Sequence, residues 1–182
     1  PLAPAPRIDT VARALPTQPL TPAAEPATEQ PVARPPLPTP ELIRQLLQEE
    51  RYTEASGKLE LLLYAEPDSL PGRLMQAWLQ INTGQLDSGA QLLDAILEQD
   101  PWQLDALLAR GLCHKWQNAL QDAGHCFKAA CYAHADSWLA QYFYGDCLRQ
   151  AGVPRQARVP LSIAARILEH SPEAATGCHW LP

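Results

Sequence analysis

The sequence lacks any apolar run approaching the twenty or so residues that a bilayer-spanning helix requires, so no membrane insertion is expected. It also lacks a basic excess. Lys and Arg total 14 against 20 Asp and Glu, giving a net charge of −6. The few cations are dispersed rather than blocked together, and a phosphate backbone or an anionic lipid surface needs a basic stripe. Nucleic acid and membrane are thereby excluded as expected partners. No glycine-rich loop is present to cradle a phosphate, and serine is scarce around histidine. Strand-type alternation appears over no useful length, which leaves helix as the regular element.

Cysteine is limited to Cys113, Cys126, Cys131, Cys147 and Cys178, an odd number in a chain long enough to build a core without staples. A reducing, cytoplasmic setting is the expectation, with Cys113 and Cys147 acting as small core residues. His114, His125, His134, Cys126 and Cys131 lie close in sequence, but their spacing does not suit a metal. Neighbours such as His125 and Cys126 diverge by about 100° on a helix, whereas ligand pairs want i and i+4 or a CxxC knuckle. Cys178 beside His179 lacks anything to orient the imidazole. Glu49 and Glu50 adjoin Arg51 on what reads as a solvated helix face. The chain is therefore expected to be no enzyme, with no catalytic residues, no metal and no cofactor of its own.

What is abundant is proline, and it is unevenly placed. Twelve of the 19 prolines lie between Pro1 and Pro40, in a stretch where Arg7, Arg13 and Arg34 balance Asp9, Glu25 and Glu29. Proline at that density breaks helix and ladder alike. Residues 1–39 read as a disordered Pro/Ala-rich linker, residues 40–170 as a helical repeat domain, and residues 171–182 as a C-terminal extension whose Trp180 is expected to pack on the end of the stack. Because the chain begins at Pro1 rather than Met, it is expected to be cut from a longer protein.

The repeat emerges at a step of 34 residues. Ala77, Gly111 and Gly145 form one column, and Ala55, Gly89, Ala123 and Ala157 form another. Leu59, Leu93, Phe127 and Leu161 follow, then Leu62, Ile96, Ala130 and Ala164. Gly84, Asn118 and Gly152 form a turn column, while Pro67, Pro101 and Ala135 mark hairpin ends. Small residues in both helices of a pair let two backbones approach, and the bulky column fills the space beside the crossing. Gly or Asn suits a left-handed helix C-terminus. Pro154 is tolerated near a helix start, whereas Pro160 is expected to kink or shorten the last helix.

This pattern resembles the tetratricopeptide repeat family from about Pro36 to Leu168. The resemblance implies an all-α solenoid of about four antiparallel helix pairs, whose first helices (A) line a concave surface. The first pair departs from the pattern at Ile43, and the second has Gly89 where alanine is usual. Side chains expected on the concave surface are Leu74, Trp78 and Ile81, then Leu108, Leu112, Lys115 and Trp116, then Leu139, Tyr142, Asp146 and Arg149. An aromatic strip edged by charge suits a protein or peptide partner. Core packing is the competing reading for Trp78 and Trp116. The Lys/Asn/Arg carboxylate clamp of peptide-binding members has no counterpart at Leu74, Trp78, Leu108, Leu112 and Tyr142.

Within the repeats, KAACYAHADSWLAQYFYGDCLRQAG, followed by QAR and AARIL, resembles the repeats behind the catalytic domain of bacterial CheR-type chemoreceptor methyltransferases. The residues concerned are Ala130, Tyr132, Asp136, Ala140, Tyr142, Tyr144, Gly145, Ala157, Ile167 and Leu168. That resemblance implies an accessory chemotaxis module, with S-adenosylmethionine handled by another part of the parent protein. The alternative is a scaffold or assembly factor of a bacterial envelope machine such as a pilus, secretion or cytochrome-maturation system. Exposed stack ends make a homodimer a further expectation.

Overall fold

The computed structural model describes residues 37–171. Most of the expected linker, together with Cys178, His179 and Trp180 of the expected extension, lies outside the described residues. Among the described residues eight α-helices follow one another: α1 (Pro40–Gln48), α2 (Tyr52–Ala65), α3 (Leu70–Asn82), α4 (Leu86–Gln99), α5 (Leu104–Trp116), α6 (Leu120–Ala133), α7 (Trp138–Gln150) and α8 (Pro154–His170). Helices α3, α5 and α7 begin 34 residues apart, as do α2, α4, α6 and α8.

The turn inside each pair repeats in atomic detail. Gly84, Asn118 and Gly152 adopt φ of +84°, +60° and +78°. The next residue donates its N–H five places back along the chain, in Gln85 N→Gln80 O (2.7 Å), Ala119 N→His114 O (2.8 Å) and Val153 N→Leu148 O (3.0 Å). This is the left-handed cap that closes the orphan carbonyls of a helix end. The first pair uses it too, with Glu50 at φ +57° and Arg51 N→Leu46 O at 2.9 Å.

The small-residue columns sit where helices cross. A Cβ added to Gly111 would lie 2.5 Å from Phe127 Cε1, and one added to Gly145 would lie 2.6 Å from Leu161 Cγ. These are the same two columns one repeat apart, so the two glycines have equivalent surroundings. Phe127 is fully buried and stacks on Phe143 of α7 at 5.2 Å between centroids, which couples the third pair to the fourth. Arg110 on α5 reaches back to Asp94 on α4 through Nε–Oδ1 (2.6 Å) and Nη2–Oδ2 (3.2 Å).

Two hydrophobic cores result. The larger runs through α3 to α7, with Leu93, Ile96, Phe127, Ala140 and Cys147 among its members. The smaller joins Ile43, Leu59, Leu62 and Met75 at the first pair. Ile43 fills the place of the small residue found in later repeats and is itself fully buried.

The expected shortening of the last helix does not occur. Helix α8 is 17 residues long and passes through a buried Pro160. One missing N–H removes a single rung, and burial of the ring against the stack offsets that loss. At the end of the third pair no proline is needed either. His134 caps α6 through its N–H to Ala130 O (2.8 Å), and Ser137 N returns to His134 O (3.0 Å).

Candidate protein-binding surface

The A helices α3, α5 and α7 carry the residues expected on the concave surface, and the structure divides them. Trp78, Leu108 and Leu112 are only 3, 5 and 7 % exposed and belong to the main core, together with Leu74 and Ile81. Their expected role as an open groove lining is corrected. Helices α3 and α5 come into direct contact, so large apolar side chains at these places interlock with one another instead of facing solvent. The Trp78 Nε1 hydrogen is buried without an acceptor, although Asn82 Nδ2 donates to the Trp78 carbonyl at 2.9 Å.

Trp116 and Tyr142 differ. They remain 49 and 46 % exposed. Trp116 is the last residue of α5, where the helix leaves the region covered by its neighbours. Tyr142 lies on α7, which has no further A helix beyond it among the described residues to cover its side. Its ring meets Phe143 edge-on at 5.4 Å and Trp138 at 6.5 Å.

On the helix of Tyr142 lies a charged network. Asp146 accepts from Lys115 Nζ (2.7 Å) and Gln150 Nε2 (2.6 Å) on Oδ2, and from Arg149 Nη2 (2.7 Å) on Oδ1. Partial burial works to raise the Asp146 carboxyl pKa, but the hydrogen bonds and positive charge of Lys115 and Arg149 outweigh it and hold the group below its ordinary value. The Lys115 ammonium also stands 5.7 Å from the centre of the Phe143 ring. Lys115 is thus fixed across the α5–α7 boundary, while the Arg149 side chain stays largely exposed. Charge on this surface is held in place rather than left to swing.

Sequence reasoning named Trp116, Lys115, Tyr142, Asp146 and Arg149 but missed Trp138, Phe143 and Gln150 as their supports. Trp138 opens α7 one step after Leu104 opens α5, so the repeat register carried the signal. A second exposed aromatic pair was also missed. Trp102, in the α4–α5 connection, and Tyr132, near the end of α6, have centroids 5.8 Å apart, and the His134 ring bonds the Trp102 carbonyl at 2.8 Å.

The described cysteines are all free thiols. Burial pushes Cys113 and Cys131 up to about 11 and raises Cys126 and Cys147 as well, so all four stay protonated at neutral pH. Burial also lowers the His114 pKa, with Arg110 adding to the shift. Among the described residues, no three His, Cys, Asp or Glu side chains gather as metal ligands would.

Eight helices in a fixed 34-residue register, nested through small residues, make this a tetratricopeptide-like α-solenoid. The tetratricopeptide repeat family matches residues 46–111. No curated protein matches the chain. Among solved structures, MamA from Desulfovibrio magneticus RS-1 (residues 41 to the end) is similar at a TM-score of 0.59 and 14 % identity, covering 72 % of this chain and 77 % of that one. MamA of AMB-1 gives 0.57 at 16 % identity over 71 % of this chain and 76 % of that one. MamA of MSR-1 gives 0.56 at 16 % identity over 71 and 75 %. At such identities the likeness is one of fold.

Proposed function

We propose that this domain is a non-catalytic protein–protein interaction scaffold, and that it holds a partner segment against the surface bearing Trp116, Tyr142 and Arg149. The observation that carries the reading is the half-exposure of Trp116 and Tyr142, with an immobilised charge network on the helix of Tyr142, while Trp78, Leu108 and Leu112 on the same A helices are withdrawn into the core. Tryptophan, tyrosine and arginine are the residues on which protein interfaces concentrate their binding energy. An aromatic anchor flanked by Lys115 and Arg149, with Asp146 between them, suits a partner segment with an apolar side chain and a nearby acidic group.

For the parent protein, we favour the assembly-scaffold context over an accessory module of a CheR-type chemotaxis methyltransferase. The fold shared with the MamA structures supports the first, and the similar structures lend the second no support. In the methyltransferase context S-adenosylmethionine would bind elsewhere in the parent protein. No helix among the described residues is long and apolar enough to cross a membrane, and a cytoplasmic setting belongs to this proposal.

The test compares capture of partners from lysate by the wild-type domain, by a Trp116→Ala, Tyr142→Ala double variant, and by Tyr64→Ala on α2 as an exposed-aromatic control. Loss of two anchors at about 2 kcal/mol each corresponds to a drop in affinity of several hundredfold or more. The control should capture normally. Equal capture by the wild type and the double variant would remove this surface from consideration.

A further inference from the structure

Successive pairs meet at α2–α3, α4–α5 and α6–α7 in one register, so a side chain at one joint has its counterpart 34 residues further along at the next. At the second joint Asp94 on α4 faces Arg110 on α5, and the guanidinium holds the carboxylate through two bonds, Nε–Oδ1 (2.6 Å) and Nη2–Oδ2 (3.2 Å). Such forked, charge-assisted pairs are among the strongest contacts side chains make. The counterparts at the first joint are Glu60 on α2 and Gln76 on α3. The carboxylate is kept and the arginine is not. Among the described residues no cation pairs with Glu60, which accepts from the Ser56 hydroxyl at 3.3 Å. At the third joint the same two places hold Lys128 and Tyr144, so no carboxylate is left there.

The place without its arginine is open. A cleft of about 680 Å³ lies between α2 and α3, and its lining includes Ser56, Glu60, Gln76 and Gln80. Gly57, on the same lining, has nothing within 4 Å of where a Cβ would stand. Gln80 Oε1 is buried without a donor. An amide oxygen kept from water and unpaired costs free energy, and the N–H groups of an entering guanidinium would remove that cost after a small turn of the amide. Its counterpart at the second joint is His114, whose pKa is lowered by burial and then by the positive charge of Arg110. A residue at this place thus faces a guanidinium seated in the joint. The cleft also exceeds what one side chain fills, since spaces of about 300–1,000 Å³ take whole ligands. Thr53 and Gln85 extend its polar lining and can hydrogen-bond main chain.

We infer that the α2–α3 cleft is a binding site for an arginine side chain presented by a segment of a partner protein, with Glu60 as its counter-ion and the Gln76 and Gln80 amide oxygens as further acceptors. The guanidinium takes the place that Arg110 takes one repeat later. Lysine suits the site less well, because a single ammonium cannot bridge a carboxylate and amide oxygens as a planar fork does. The net charge of −6 favours the approach of a cationic segment. The cleft makes no use of Trp116 or Tyr142, so it is independent of what the candidate binding surface holds.

Nuclear magnetic resonance titration of the full chain with blocked tripeptides tests the site. Acetyl-Ala-Arg-Ala-amide should shift the amide signals of Ser56 and Gly57 and the side-chain amides of Gln76 and Gln80 in a saturable way. Its citrulline analogue keeps the shape and loses the charge, and should bind at least about tenfold more weakly, with the lysine analogue between the two. Glu60→Gln should weaken the arginine peptide by a similar factor with unchanged helical circular dichroism, since Glu60 is exposed. Gln76→Arg should fill the cleft from within, as Arg110 does at the second joint, and block the peptide. The Trp116→Ala, Tyr142→Ala variant should bind it like the wild type. No saturable shift at these residues, equal binding of the arginine and citrulline peptides, or undiminished binding by Glu60→Gln or Gln76→Arg would each overturn the inference. Free arginine binding as tightly as the peptide would overturn the assignment to a partner segment in favour of a small molecule. Binding seen only after Arg7, Arg13 and Arg34 are replaced by glutamine would also overturn it, by assigning the cleft to the chain's own N-terminal arginines.

Discussion

Glu50 holds a backbone conformation that its three counterparts assign to glycine or asparagine. Its φ of +57° matches Gly84, Asn118 and Gly152, and the bond that follows it, Arg51 N→Leu46 O at 2.9 Å, is the same capping bond. A side chain with a Cβ costs roughly 1–2 kcal/mol in that region, while glycine loses about 0.5–1 kcal/mol of additional chain entropy on folding. Glu50→Gly should therefore stabilise the domain by about 0.5–1 kcal/mol, read as a higher midpoint in urea with an unchanged slope. A lower midpoint would mean that the Glu50 side chain does something for the first pair that outweighs its strained backbone. Nothing in the glutamate itself announced this turn. Only the 34-residue register, carried one step before Gly84, points to it.

Within a helix pair, the decisive quantity is how closely two backbones approach. Gly111 leaves no room for a Cβ because the Phe127 ring fills the crossing, yet the second pair places Ala77 opposite Leu93 at the same columns, with both residues fully buried. Gly111→Ala should cost about 1–3 kcal/mol through overpacking. Combining it with Phe127→Leu recreates the second pair's solution, and the double variant should be markedly more stable than the sum of the two single effects predicts. A double-mutant cycle in chemical denaturant measures the coupling. Strict additivity would show that the two columns do not share one space. Pro160 teaches a related lesson, since a residue that reads as a helix breaker is carried inside a 17-residue helix once its ring is buried.

Across the whole molecule, stability should not be uniform, because the first pair is packed on its own small core of Ile43, Leu59, Leu62 and Met75 while α3 to α7 share the large one. Repeat stacks behave as near-neighbour chains in which each unit is held by its own packing and by the interfaces beside it. Helix α1, nine residues long, is also the shortest. Amide hydrogen exchange in α1 and α2 should therefore proceed on the order of tenfold or more faster than in α5 and α6, as a separate sub-global opening. Equal protection across all eight helices would mean that the two cores open as one.

The fold was legible because its signals are steric and local. Gly111 and Gly145 recur where only a hydrogen fits, and Gly84, Asn118 and Gly152 recur where a positive φ is required, so a linear register was enough to read helix pairs and their turns. The binding surface was only half legible. Whether an apolar side chain on an A helix reaches solvent depends on how closely neighbouring pairs approach, and no residue encodes that distance by itself. Trp78, Leu108 and Leu112 share the helical periodicity of Trp116 and Tyr142, but contact between α3 and α5 closes over the first three and leaves the other two open. Chain order determined which side chains share a face of the helix; the approach of one pair to the next decided which of them water, or a partner, can touch.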